Sequence, residues 1–173
     1  SADYELCENY EKKVSHYILI QKKAGRNLQY IYSDSDIIND NGKRENPDCK
    51  PDYSWNTLLS FNYIGNVFAV KKQFFLHRMN EFADNFGSDS KFDSYKISLF
   101  LLSDNSVENV GHIHQILAHK KADYKEESDI SDYKCLLPEL KNKNVCVVTD
   151  KHNKNVQHIH YPLSENDCVS III

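Results

Sequence analysis

Residues 32–69 read YSDSDIINDNGKRENPDCKPDYSWNTLLSFNYIGNVFA. The run Leu28 to Tyr32 just before and into this stretch is apolar and aromatic, as suits a buried strand. It meets two carboxylates, Asp34 and Asp36, spaced by serines. Side chains two apart on an extended chain point the same way, so both carboxylates can face one cleft; a solvated strand end whose Asp side chains cap a turn is the plainer alternative. Asn39-Asp40-Asn41-Gly42 supplies residues that tolerate positive φ, so the chain should reverse there. Pro51 then favours extended backbone, and Asp52 or Ser54 can cap a short helix carrying Trp55, Leu58 and Leu59. A strand-like run, Val67 to Val70, follows.

Working outward, Ala2 to Lys13 carries Tyr4, Leu6 and Tyr10 at roughly helical spacing and predicts a short helix. Val14 to Ile20 is apolar and β-branched, and fits either a strand or the end of that helix. Gly25-Arg26-Asn27 is a turn. Lys71 to Phe86 places Phe74, Phe75, Met79, Phe82 and Phe86 at helical intervals, as a core-facing helix requires. Gly87 to Lys91 is a loop, and Phe92 to Leu102 is a second helix with Tyr95, Leu99 and Leu102 on one side. His112 to Lys121 reads as a buried strand through Ile113, Ile116 and Leu117. Its histidines at 112, 114 and 119 invite a zinc reading, but no neighbouring carboxylate or cysteine completes a donor set, so none is expected. His16 likewise has no second ligand at metal spacing. Asp123 to Leu140 is acidic and then helical. Val145 to Val148 and Val156 to Tyr161 form a small hairpin around the polar turn at 150–155, and Val169 to Ile173 is a last strand.

The chain has 173 residues, a length that normally means one domain. Hydrophobic residues at 40% can build a core, and a net charge of only −4 gives no case for nucleic acid or an anionic membrane as partner. No apolar run is long enough to cross a bilayer. Five cysteines, Cys7, Cys49, Cys135, Cys146 and Cys168, lack a Cys-x-x-Cys pair, and fit reduced thiols better than a disulfide framework.

The 32–64 block resembles the family 2 glycosyltransferases, in particular the long bacterial enzymes that build surface polysaccharide. Those carry a Tyr-Ser-Asp-Glu-Asp block, then Asp-Gly-Lys-Arg, then Phe-Lys-Pro-Asp, then an Asn-Tyr-Ile segment. The matching residues are Tyr32, Ser33, Asp34, Asp36, Gly42, Lys43, Arg44, Pro47, Lys50, Pro51, Asp52, Leu58, Leu59, Ser60, Asn62, Tyr63 and Ile64, in the same order and spacing. Ser35 stands in place of the usual Glu. His112, Ile113, Leu117 and His119 continue the likeness to a His-Ile-Pro-x-Val-Leu-Tyr-His-Trp-Arg segment. Lys121 keeps its final positive charge, while Ala118 and Lys120 replace the Tyr and Trp. Glu127, Ser128 and Tyr133 resemble a helix of the same family, and Tyr161-Pro162-Leu163 with Val169-Ser170-Ile171-Ile172-Ile173 resembles the linker and first strand of a following domain.

This resemblance implies an α/β fold, a partial GT-A-like (nucleotide-diphospho-sugar transferase) arrangement with a mixed sheet and flanking helices. It divides the chain into an acceptor-side half over 1–121, a helix, hairpin and linker over 122–163, and an opening strand over 164–173. It implies transfer of a sugar from a nucleotide-sugar donor to a cell-surface polysaccharide acceptor. Asp34, Asp36, Asn62, Tyr63, His119 and Lys121 would be the substrate-binding residues. The family's metal-binding Asp-x-Asp lies upstream of the matched block, so Mg²⁺ or Mn²⁺ is expected only with the full-length domain. No metal ligand is assigned to Asp34 or Asp36, and the chain alone is expected to be inactive. In relatives a Gln-Asp-Tyr-Asp-like segment supplies the catalytic base at the second helix. Alignment on Tyr95 puts Ser94 where that base belongs, with Asp93 one residue away. Either Asp93 serves through a local shift, or the base has been lost and the domain is a degenerate scaffold or glycan-binding module. A cytoplasmic location, with the inner face of the membrane as a peripheral site, follows from the same likeness.

Overall fold

In the computed structural model the described residues are 3–86, 93–103, 107–122 and 145–163. The expected strand at 169–173, the helix within 123–140 and the loop at 87–91 lie outside them.

The chain is of mixed α/β type, built on a five-stranded mixed sheet and a separate two-stranded hairpin. Strand β1 is Tyr4–Leu6, helix α1 Tyr10–Lys23, β2 Tyr30–Ile38, β3 Arg44–Asp48, α2 Trp55–Ser60, β4 Phe68–Val70, α3 Lys72–Phe86, α4 Ser94–Leu102 and β5 Val110–Lys121; the hairpin strands are β6 Cys146–Thr149 and β7 Gln157–His160. Strand β2 is central. Along one edge it pairs in parallel with β5, from Tyr30 opposite Val110 to Ile38 opposite Lys121. On its other edge β4 pairs antiparallel with its first half and β3 with its second. β1 closes the far side of β5, with Tyr4 opposite Lys120.

The helix expected from residue 2 needs correction. Tyr4 and Leu6 lie in strand β1, not in a helix: their two-residue spacing also fits a strand, and the free edge of β5 takes up their backbone groups. Of the two readings of Val14 to Ile20, the helix holds: the run lies inside α1, where only Val14 is buried and Ile18, Leu19 and Ile20 are exposed. The first core strand also runs on past Tyr32, through both carboxylates to Ile38.

The turn at 39–42 forms as the residue types dictate. Asn39 Oδ1 accepts from the Asn41 and Lys43 N–H groups, and Gly42 takes φ 74°. Ser54 caps α2, its hydroxyl accepting from the Thr57 N–H. Two cores result. On one face Tyr30, Tyr32, Leu58, Leu59, Ile64 and most of α4 pack together, with Phe74, Phe75 and Met79 of α3 and Val147 and Ile159 of the hairpin against them. On the other, Val14 and Tyr17 of α1 cover Leu28, Ile31, Ile113 and Leu117. Helix α1 approaches so closely that a Cβ at Gly111 would sit 2.7 Å from Leu28 Cδ1 and 2.8 Å from the Tyr17 ring, which accounts for a glycine near the start of β5.

No described helix is long and apolar enough to cross a membrane. Among the described residues Cys7, Cys49 and Cys146 are free thiols, the latter two exposed.

Candidate functional site

The carboxyl end of a parallel strand pair is where α/β sheets place ligands, and here that end is built by Asp34, Ser35, Asp36 and Ile37 of β2 opposite Ile116, Ala118, His119 and Lys120 of β5. Register shifts flank Asp34 on the β5 side and separate Ser35 from Ile37 on the β3 side, so the two carboxylates meet different partners. Both are buried, at 6% and 5% exposure, which settles against a solvated strand end.

Asp34 Oδ1 accepts from the Lys50 backbone N–H at 2.9 Å and lies 2.9 Å from His112 Nε2. Asp36 lies 2.5 Å from His119 Nδ1 through one oxygen and accepts from Arg44 Nε at 2.6 Å through the other. A buried carboxylate needs such donors to stay in the fold. Oxygens already facing a guanidinium and imidazoles do not make the all-oxygen set that Mg²⁺ demands, so Asp34 and Asp36 do not fit a hard-cation site.

Tyr32 holds this end together. Its ring stacks on His112, centroids 4.6 Å apart and planes 8° from parallel, and its hydroxyl donates to the Pro51 carbonyl at 2.7 Å. Burial pushes the Tyr32 phenol well above its ordinary pKa, and the neighbouring Tyr63 adds to the shift, so the hydroxyl stays a donor. Lys50 is buried, its Nζ donating to the Ile64 carbonyl at 2.6 Å under the loop that carries Asn62 and Gly65.

A groove of about 180 Å³ opens over Ser35, Asp36, Asp48, Lys50, Asn62, Gly65, Asn66 and Lys120. Of the residues expected to bind substrate, Asp36 and Asn62 line it. Asp34 and His119 are not among its lining residues: Asp34 is bound to His112 and Lys50, and His119 lies behind Asp36. Tyr63 is a core residue, packed edge-on to Tyr32 with its oxygen accepting from the Ser54 N–H. Lys121 ends the sheet, exposed, and the lysine on the groove is its neighbour Lys120. Asp48, Asn66 and Lys120 join the groove without a sequence signal beyond their polarity.

Asp93 is the N-cap of α4. Its Oδ1 accepts from the Lys96 N–H at 2.7 Å, and it does not line the groove. The hydroxyl of Ser94 instead contacts Asn66 Oδ1, a groove residue. The position beside the groove is therefore Ser94, and Asp93 is engaged as a helix cap.

A second groove, of about 480 Å³, lies between α1 and the amino end of β5 and is lined by Tyr17, Arg26, Asp52, Tyr53, His112 and His114 among others. Asp52, expected as a possible helix cap, faces the two histidines here.

No protein-family model matches the sequence, and no curated protein matches it.

Proposed function

We propose that this chain is a segment of a nucleotide-sugar-dependent glycosyltransferase of the GT-A type, and that it supplies the wall that receives the saccharide acceptor. The observation that carries this reading is the polar groove at the carboxyl end of the β2–β5 pair, set on the block whose order and spacing resemble family 2 glycosyltransferases. Its carboxylate, amide and ammonium groups are of the kinds that fix sugar hydroxyls by hydrogen bonds. At about 180 Å³ it is well below the roughly 300–1,000 Å³ of sites for drug-sized ligands. That size suits one sugar ring and not a whole nucleotide sugar.

In the reaction this implies, an acceptor hydroxyl attacks the anomeric carbon. A base takes its proton, and the bond to the donor diphosphate breaks with inversion. The capping role of Asp93 favours a second reading, a saccharide-binding domain with no base at α4.

Calorimetric titration of this chain tests the assignment. UDP- and dTDP-sugars with Mn²⁺ are expected to give no micromolar binding, because the groove cannot enclose them. Micromolar binding would place a donor site in these residues and overturn the reading.

A further inference from the structure

His112 and His114 stand two apart on β5, a spacing that puts both rings on one face of the strand. Their centroids are 4.2 Å apart. The loop after Pro51 brings Asp52 against them: its Oδ1 lies 3.3 Å from His112 Nδ1 and 3.4 Å from His114 Nε2. One donor atom from each of the three residues falls within 4.8 Å of the others. We propose that Asp52, His112 and His114 form a binding site for a zinc ion.

The donor spacing fits. Zinc bonds of about 2.0–2.2 Å in a tetrahedron put neighbouring donors about 3.3–3.6 Å apart, and both carboxylate-to-imidazole separations lie in that range. Two imidazoles and one carboxylate suit zinc, whereas Mg²⁺ and Ca²⁺ take oxygen. Three protein ligands leave a fourth position for water or a ligand. All three residues line the 480 Å³ groove, so that position is within reach of a small molecule there.

The surroundings of His112 point the same way. Its Nε2 faces Asp34 Oδ1 at 2.9 Å while its Nδ1 faces Asp52. A neutral imidazole carries one N–H, and here a carboxylate stands at each nitrogen. With the proton on Nε2 toward Asp34, Nδ1 keeps its lone pair on the side of Asp52. Carboxylate, histidine and metal in that order is the arrangement that fixes the tautomer and orientation of a metal-binding histidine. Asp34 is itself held by the Lys50 N–H, and the Tyr32 ring fixes the imidazole plane. The three ligands lie outside the acceptor groove, and the site does not depend on the glycosyltransferase reading.

The test is zinc titration of the chain against a chromophoric chelator, with metal content measured after dialysis. One zinc per chain is expected. His114→Ala and Asp52→Asn alter exposed side chains and should leave folding intact, checked by circular dichroism, while weakening zinc by at least about tenfold. Asp34→Asn should weaken it by about 10–100-fold through the loss of its hold on His112. His158→Ala, which removes an exposed histidine paired with Asp150, should change nothing. On zinc addition the His112 Nδ1 nitrogen resonance should shift while the Nε2–H proton stays. Absence of stoichiometric binding, or equal binding by wild type, His114→Ala and Asp52→Asn, would overturn the proposal.

Discussion

Replacing Asp34 by alanine is expected to lower the unfolding free energy by about 3–6 kcal/mol, since a hydrogen bond to a charged group contributes about 1.5–3 kcal/mol and two are lost. The same oxygen accepts from the Lys50 N–H and faces His112 Nε2, so one substitution removes the acceptor from two buried groups. Asp34→Asn retains a carbonyl oxygen there and should cost less than half as much. Urea titrations read both. The midpoint should fall with an unchanged slope, as for a loss of stability without a change in compactness. A loss below about 1 kcal/mol for Asp34→Ala would mean that the carboxylate is solvated and that the described end of β2 is wrongly packed.

The second large effect belongs to α4. Leu99 is fully buried in the larger core, and Leu99→Ala should cost about 2–5 kcal/mol from lost transfer energy and the cavity left behind. Leu19→Ala on α1 removes the same atoms from a side chain that is 59% exposed, and should stay within about 0.5 kcal/mol of wild type. Equal losses at the two positions would show that α1 buries the face opposite to the one described.

These contrasts trace what could be read from the residues. Helices α3 and α4 carry long aromatic and aliphatic side chains at helical intervals, and both form over nearly the expected residues. The Asn-Gly turn and the 145–161 hairpin were equally legible, since their chemistry is local. Strand β3, Arg-Glu-Asn-Pro-Asp, is exposed along its whole length and has no apolar face to betray it; it exists because the turn returns the chain alongside β2. β1 was misread because three residues carry too little period to separate strand from helix.

The site was legible only in part, for a related reason. Asp34 and Asp36 stood out as a pair, yet their burial depends on His112 and His119, 78 and 83 positions later in the chain. Asp52 precedes His112 by 60 positions, so the histidines of β5 seemed to lack a carboxylate. Asp93, one residue short of the base position that alignment on Tyr95 gives to Ser94, was the candidate base, but a carboxylate just ahead of a helix also satisfies its first N–H groups, and that local demand takes it.

Saccharide mapping by nuclear magnetic resonance tests the acceptor-wall assignment most directly. Glucose, galactose, rhamnose and N-acetylglucosamine, as mono- and disaccharides, would be titrated into the isotope-labelled chain. At least one should bind at about millimolar affinity or tighter, corresponding to roughly −4 kcal/mol. Its shifts should centre on the amides of Asp48, Asn62, Gly65 and Asn66, and Asn62→Ala should abolish them. Shifts centred elsewhere, or no saccharide response at the groove, would contradict the account.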